Sequence, residues 1–131
     1  MKIGGVVVAS FSMMQQTTAL SSGEAELMAM TCVAAECMFW HGLLEEIGFP
    51  PSRTPWCFSD SSAALSAAGR SGPKRMKHIE LRRLVAHEWQ SEGRIRFLKI
   101  GTSDNEADLL TKFVTVKTLE KLRDDVGLRK E

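Results

Sequence analysis

The sequence predicts an α/β fold built as a single domain, and three stretches carry that expectation. A polar turn at Ser21-Ser22-Gly23 runs into about seven turns of helical period, from Ser22 to Ile47. The short apolar run Pro55-Trp56-Cys57-Phe58-Ser59 reads as a buried strand that ends at Asp60 and gives way to serine caps and a second helix. Farther on, Arg94-Ile95-Arg96-Phe97-Leu98-Lys99-Ile100 partly alternates, as a half-exposed strand does. Helices interleaved with short strands define the α/β class.

In chain order, Gly4-Gly5 offers a turn, and Val6 to Phe11, rich in β-branched and apolar residues, reads as a strand that Met13 to Thr18 continue weakly. Ser21 and Glu24 then have the form of a capping box: the serine oxygen accepts an orphan amide, and the carboxylate reaches back to the serine amide. Glu26 is left outside the box, at the edge of an apolar stripe of Ala25, Met28, Ala29, Cys32, Phe39, Leu43 and Ile47. Glu36 interrupts that stripe and reads as a rim carboxylate or an ion-pair partner; His41 and Met38-Phe39-Trp40 read as packing. Gly48 and Pro50-Pro51 stop the helix. A basic loop, 68–78, precedes a helix from about Ile79 to Ser91 closed by Gly93, and Val116 to Val126 reads as an amphipathic helix with Val116, Leu119, Leu122 and Val126 on one face.

Composition narrows the function classes. The chain has 131 residues, 44% hydrophobic and 25% charged, which is ordinary for one globular domain with a sizeable core. A net charge of +1 does not announce a nucleic-acid binder, so phosphate contact would have to come from a local cluster. Arg70, Lys74, Arg75, Lys77, His78, Arg82 and Arg83 form such a cluster, readable as a solvated loop or as a face for sugar-phosphate backbones. The odd number of cysteines, Cys32, Cys37 and Cys57, favours buried, reduced thiols and an intracellular setting. No signal-peptide pattern is present, and no apolar run is expected to span a membrane. A zinc site is disfavoured because His78 and His87 lack a Cys or His at ligand spacing.

The acidic residues at element ends are the chemical signal. Ser103 and Glu106 repeat the capping-box pattern of Ser21 and Glu24, and Asp108 takes the place of Glu26. Asp60 ends a strand, where open α/β sheets place working groups. An acid in a first helical turn usually serves the macrodipole or solubility. Glu26, Asp60 and Asp108 together, on three different elements, suggest a shared metal site.

Four blocks, Leu20-Ser21-Ser22-Gly23-Glu24-Ala25-Glu26, Phe58-Ser59-Asp60-Ser61-Ser62-Ala63, Lys77-His78-Ile79-Glu80-Leu81-Arg82 and Asn105-Glu106-Ala107-Asp108-Leu109-Leu110-Thr111-Lys112, resemble in order and spacing the ribonuclease H domain of copia-type retrotransposon Pol polyproteins. The resemblance runs from about Gly4 to Leu128 and implies a ribonuclease H-like mixed sheet flanked by helices. It implies that Glu26, Asp60 and Asp108 are the second, third and fourth members of an acidic quartet holding two Mg²⁺ or Mn²⁺ ions, and that the RNA strand of an RNA–DNA hybrid is hydrolysed there. Lys77-His78 matches the family's own pair, which favours a substrate-side role for the basic loop. In the family an opening strand bearing the first aspartate, and most of a second strand, come before the position of Met1; here no acidic residue precedes Glu24. The expectation is therefore a sheet completed by a homo-oligomer or a partner chain, or a rearranged, helix-dominated fold, with impaired cleavage; a non-catalytic nucleic-acid-binding or self-assembling remnant is the alternative. The family setting implied is cytoplasmic, including virus-like particles, without a membrane partner. Phe113 stands where related sequences usually carry a proline after Thr111-Lys112.

Overall fold

Gly4 and Gly5 hold φ of 59° and 85°, the conformation a two-residue type I′ hairpin turn demands. They fold β1 (Lys2–Ile3) antiparallel onto β2 (Val6–Val7), with Lys2 opposite Val7 and Ile3 opposite Val6. This computed structural model describes residues 1–128 other than 13, 16, 17, 20 and 70–76, and the backbone alone of 77–83. The chain divides into two units, Thr17–Lys99 and Met1–Gln16 with Ile100–Glu131.

The unit Thr17–Lys99 contains α1 (Ser22–Glu46), β3 (Trp56–Ser59), α2 (Ser62–Ala68), α3 (Lys77–Ser91) and β4 (Arg96–Lys99). α1 ends as expected: Gly48 takes φ +85°, its amide donates to the Glu45 carbonyl (3.1 Å), and the Phe49 amide donates to the Leu44 carbonyl (2.8 Å). β3 and β4 are parallel neighbours, paired from Trp56↔Arg96 to Ser59↔Lys99. Parallel strands need a crossover, and α2 and α3 supply it. α1 packs on α2, α3 and β3. The core is Leu27, Met30, Ala64, Ala68 and Ala86, with Leu65, Ala67 and Phe97 against it; the alanines let the helix backbones approach closely.

Two expectations for α1 need correction. Its buried residues are Leu27, Met28, Met30, Ala34 and Cys37, whereas Phe39 and Ile47, placed on the apolar stripe by periodicity, are 60% and 57% exposed. The helix is apolar on several sides, so periodicity does not single out a face, and the small residues of α2 and α3 decide which side is covered. The same apolarity overturns the expectation of no span-length run: α1 has an 18-residue window of mean hydropathy 1.4, long and apolar enough to cross a bilayer by length and composition. Core helices meet that criterion as well, and α1 contributes Leu27 and Met30 to the core of its own unit.

The other unit holds the hairpin, a 3₁₀ turn at Thr102–Asp104, α4 (Asp108–Thr111) and α5 (Val116–Asp125). The expected strand Val6–Phe11 is a strand only at Val6–Val7. Two further bonds follow it, Val8 amide to Met1 carbonyl (3.0 Å) and Met1 ammonium to Ala9 carbonyl (2.6 Å), and among the described residues no strand continues along Val8 to Phe11. Of the weak continuation, residues 13, 16 and 17 lie outside the described ones. Thr115 caps α5 by accepting from the Thr118 amide (3.3 Å). Only part of the forecast apolar face is covered: Leu122 is fully buried, while Val116 is 72% and Leu119 46% exposed.

Candidate functional site

The start of α1 is fixed by Ser21, whose backbone is extended, whose hydroxyl accepts the Glu24 amide at 3.2 Å and whose carbonyl accepts the Ala25 amide at 3.1 Å. Two residues later Gly23 meets α2: a Cβ there would stand 3.0 Å from the Ala63 Cβ. Glycine is therefore favoured at this close crossing, where a side chain would have to push Ala63 back by a few tenths of an ångström. Glu26 lies three residues beyond Gly23, and Asp60 three residues before Ala63. The crossing thus sets the segments that carry these two acids side by side, at the carboxyl end of β3. Both acids are half-buried.

The Asp60 turn is tied down by its neighbours. The Ser59 hydroxyl accepts the Ser61 amide (3.1 Å), and the Ser61 hydroxyl caps α2 by accepting the Ala64 amide (3.2 Å). Lys99, at the end of β4, donates its ammonium to the Asp60 carbonyl and to the Ser62 hydroxyl (3.0 Å). This fastening was missed from the sequence, because Lys99 is separated from Asp60 along the chain and meets it only through the parallel register that sets Ser59 opposite Lys99.

Asp108 is placed differently from Glu26. The second capping box does not form: Ser103 lies within the 3₁₀ turn, and α4 starts after Ala107 without a side-chain cap. Asn105 takes over that role locally, its side-chain oxygen accepting the Ala107 amide at 3.3 Å, the competition with helix capping that asparagine readily wins. Glu106 is engaged instead by the ammonium of Lys2. Asp108 is buried, 6% exposed, and its carboxylate accepts from Lys112 (2.9 and 3.1 Å) and from the Asn105 amide group (3.4 Å). Lys112 stands four residues after Asp108, a helical ion-pair spacing that is readable in the sequence.

Of the basic cluster, Arg70, Lys74 and Arg75 lie outside the described residues, and Lys77 and His78 open α3 by their backbone. The cleft of about 410 Å³ lined by Met38, His41, Glu45, Thr54 and Arg94 sits along the last turns of α1 and includes neither Glu26 nor Asp60. Cys37 and Cys57 are buried and Cys32 half-buried, all as free thiols; burial, with Cys37 nearby, pushes the Cys57 thiol up to about 12.

Carboxylate oxygens are the donors that Mg²⁺ and Mn²⁺ take, so Glu26 and Asp60 fit such a cation in kind. In number they fall short: among the described residues no group of three or more His, Cys, Asp or Glu side chains is gathered that could hold a metal.

No protein-family model and no solved structure matches this chain significantly. Curated sequences do. The chain is homologous to a short segment of retrovirus-related Pol polyproteins from transposons. It is 33% identical over 118 residues to the retrovirus-related Pol polyprotein from transposon TNT 1-94 of Nicotiana tabacum, a match covering 89% of this chain and 9% of that protein. The corresponding proteins from transposons RE1 and RE2 of Arabidopsis thaliana are 27% and 28% identical over 115 and 117 residues, 87% and 88% of this chain and 8% of each of theirs. The chain thus spans less than a tenth of the length of these relatives.

Proposed function

We propose that this chain is a ribonuclease H-like segment of a retrotransposon Pol polyprotein, in which Glu26 and Asp60 contribute to hydrolysis of the RNA strand of RNA–DNA hybrids. The supporting observation is the crossing of α1 and α2 at Gly23 and Ala63, which sets the segments bearing both acids at the carboxyl end of β3. Mg²⁺ or Mn²⁺ held by these carboxylates would activate a water and stabilise the leaving oxygen. The chain's own residues position that chemistry: Lys99 fixes the turn that carries Asp60, and the basic residues 70–78 would follow the phosphate backbone. Asp108 is assigned to the acidic set by the resemblance alone, and Lys112 neutralises it here.

The test is cleavage of a labelled RNA–DNA hybrid with Mg²⁺ and with Mn²⁺, by this chain and by Asp60→Asn. Among the described residues no three donors are gathered, so cleavage is expected to be weak from the chain alone. It should rise when a peptide with a family-like opening strand and its aspartate is added, and be lost in Asp60→Asn. A folded protein that cleaves nothing with the peptide present sinks the proposal.

A second reading, a non-catalytic nucleic-acid-binding or self-assembling remnant, is favoured by the lack of a three-donor cluster among the described residues. Hybrid binding kept by Asp60→Asn but abolished by joint substitution of Arg70, Lys74 and Arg75 with Gln would select it.

A further inference from the structure

β3, expected from its apolar run to be a buried strand, is buried on one face only. Cys57 and Ser59 are each 4% exposed, on the side covered by α1 and α2, whereas Trp56 and Phe58 are 45% and 49% exposed on the other. These two large rings add little to the core, and burying such rings is ordinarily among the largest apolar gains available to a fold. They are ordered against one another in an edge-to-face contact, centroids 6.3 Å apart and planes at 85°. The parallel register extends this face onto β4, setting Arg96 beside Trp56 and Leu98 beside Phe58. Arg53 stands over the Trp56 ring at 5.6 Å from its centroid.

We propose that this outer face of the β3–β4 sheet is a stacking platform for single-stranded nucleic acid. The occupant is chosen by chemistry. Aromatic side chains interleaved with arginines offer ring faces for bases and guanidinium groups for phosphates, the combination that single strands use without regard to sequence. A duplex keeps its base faces inside its own stack, so it cannot use the rings. An apolar protein partner would leave Arg53 and Arg96 desolvated and unpaired, at a cost that disfavours it. Residues two apart on a strand stand about 7 Å apart, roughly twice the ~3.4 Å rise per nucleotide of a helical strand. That spacing suits bases splayed out of their own stack onto the rings. The platform lies on the face of the sheet, away from the strand end that carries Asp60, and its operation does not depend on cleavage.

The experiment is fluorescence anisotropy of a labelled oligothymidylate titrated with the full chain, alongside Trp56→Leu/Phe58→Leu, Arg53→Gln/Arg96→Gln and Trp56→Phe, each checked for folding by circular dichroism. The platform predicts saturable binding that weakens roughly tenfold or more per ring removed and is kept by Trp56→Phe. In the arginine pair the slope of log affinity against log salt should fall by about 1.4. Binding by the parent chain that the leucine pair leaves untouched, or no binding at all, overturns the proposal. So does sedimentation showing that the leucine pair turns a dimer into a monomer, which would give this face to a second copy of the chain. Should the leucine pair fail to fold, quenching of tryptophan emission by the oligomer in the parent chain, and its reduction in Trp56→Phe, decides the same point.

Discussion

Within Thr17–Lys99, apolar side chains from three helices and a strand close over one another, Leu27, Met30, Ala64, Ala68 and Ala86 at their centre, whereas in the unit of Met1–Gln16 and Ile100–Glu131 the described residues bury one apolar side chain fully, Leu122. What the second unit has instead is charge. Lys2 pairs with Glu106, Lys121 with Asp104, and Lys112 with the buried Asp108. Apolar burial is not weakened by charge screening, and kosmotropic salts strengthen it; exposed ion pairs are weak and screened. The contrast also bears on function. The acids of the first unit stand at a helix crossing enforced by packing, while the acid of the second is held by a lysine.

The largest expected effect that probes this contrast is Leu27→Ala. Leu27 is 2% exposed at the centre of the packed unit, so its truncation should cost about 2–5 kcal/mol, read as a lower urea midpoint. A change within error would mean that α1 is not held by that core. Next comes alkaline stability. The Cys57 thiol has its pKa raised from 9.0 to about 12 by burial, so the folded state keeps a proton that the unfolded chain releases above pH 9.0. Its contribution is complete below pH 9.0 and is lost as pH rises towards 12, at a slope of roughly 1 kcal/mol per pH unit. Cys57→Ala should flatten that part of the stability profile; an unchanged slope would place the thiol in water. The smallest effect is that of salt. At about 1 M ionic strength the screening length falls to ~3 Å, so amide protection should drop in α5 and stay level in the middle of α1. Equal losses in both would erase the distinction between the units.

Much of the packed unit was legible in the sequence because its signals are local. Ser21, Ser61, Gly48 and Gly93 mark element ends by hydrogen bonds that a few adjacent residues complete, and the strand at Trp56–Ser59 with its following cap placed Asp60 at a strand end. What failed was non-local. The buried side of α1 depends on which helices cover it, and a helix apolar on several sides carries no record of that choice. The tie of Lys99 to the Asp60 turn rests on parallel pairing between distant segments. At Asp108 the error was local but competitive: Ser103 and Asn105 offer rival caps within three residues, and the pattern Ser-x-x-Glu says nothing about the asparagine inside it. Glu26 and Asp108 look alike in sequence and differ in structure for that reason.

The claim that Glu26 and Asp60 together form the cation-binding end of this chain is tested most directly by titrating Mn²⁺ into the isotopically labelled protein and following paramagnetic broadening of backbone amide signals. The account predicts saturable broadening centred on the amides around Glu26 and around Asp60 with one shared midpoint, abolished by Asp60→Asn and displaced by Mg²⁺. Broadening that leaves those segments sharp, or that survives Asp60→Asn unchanged, would contradict it.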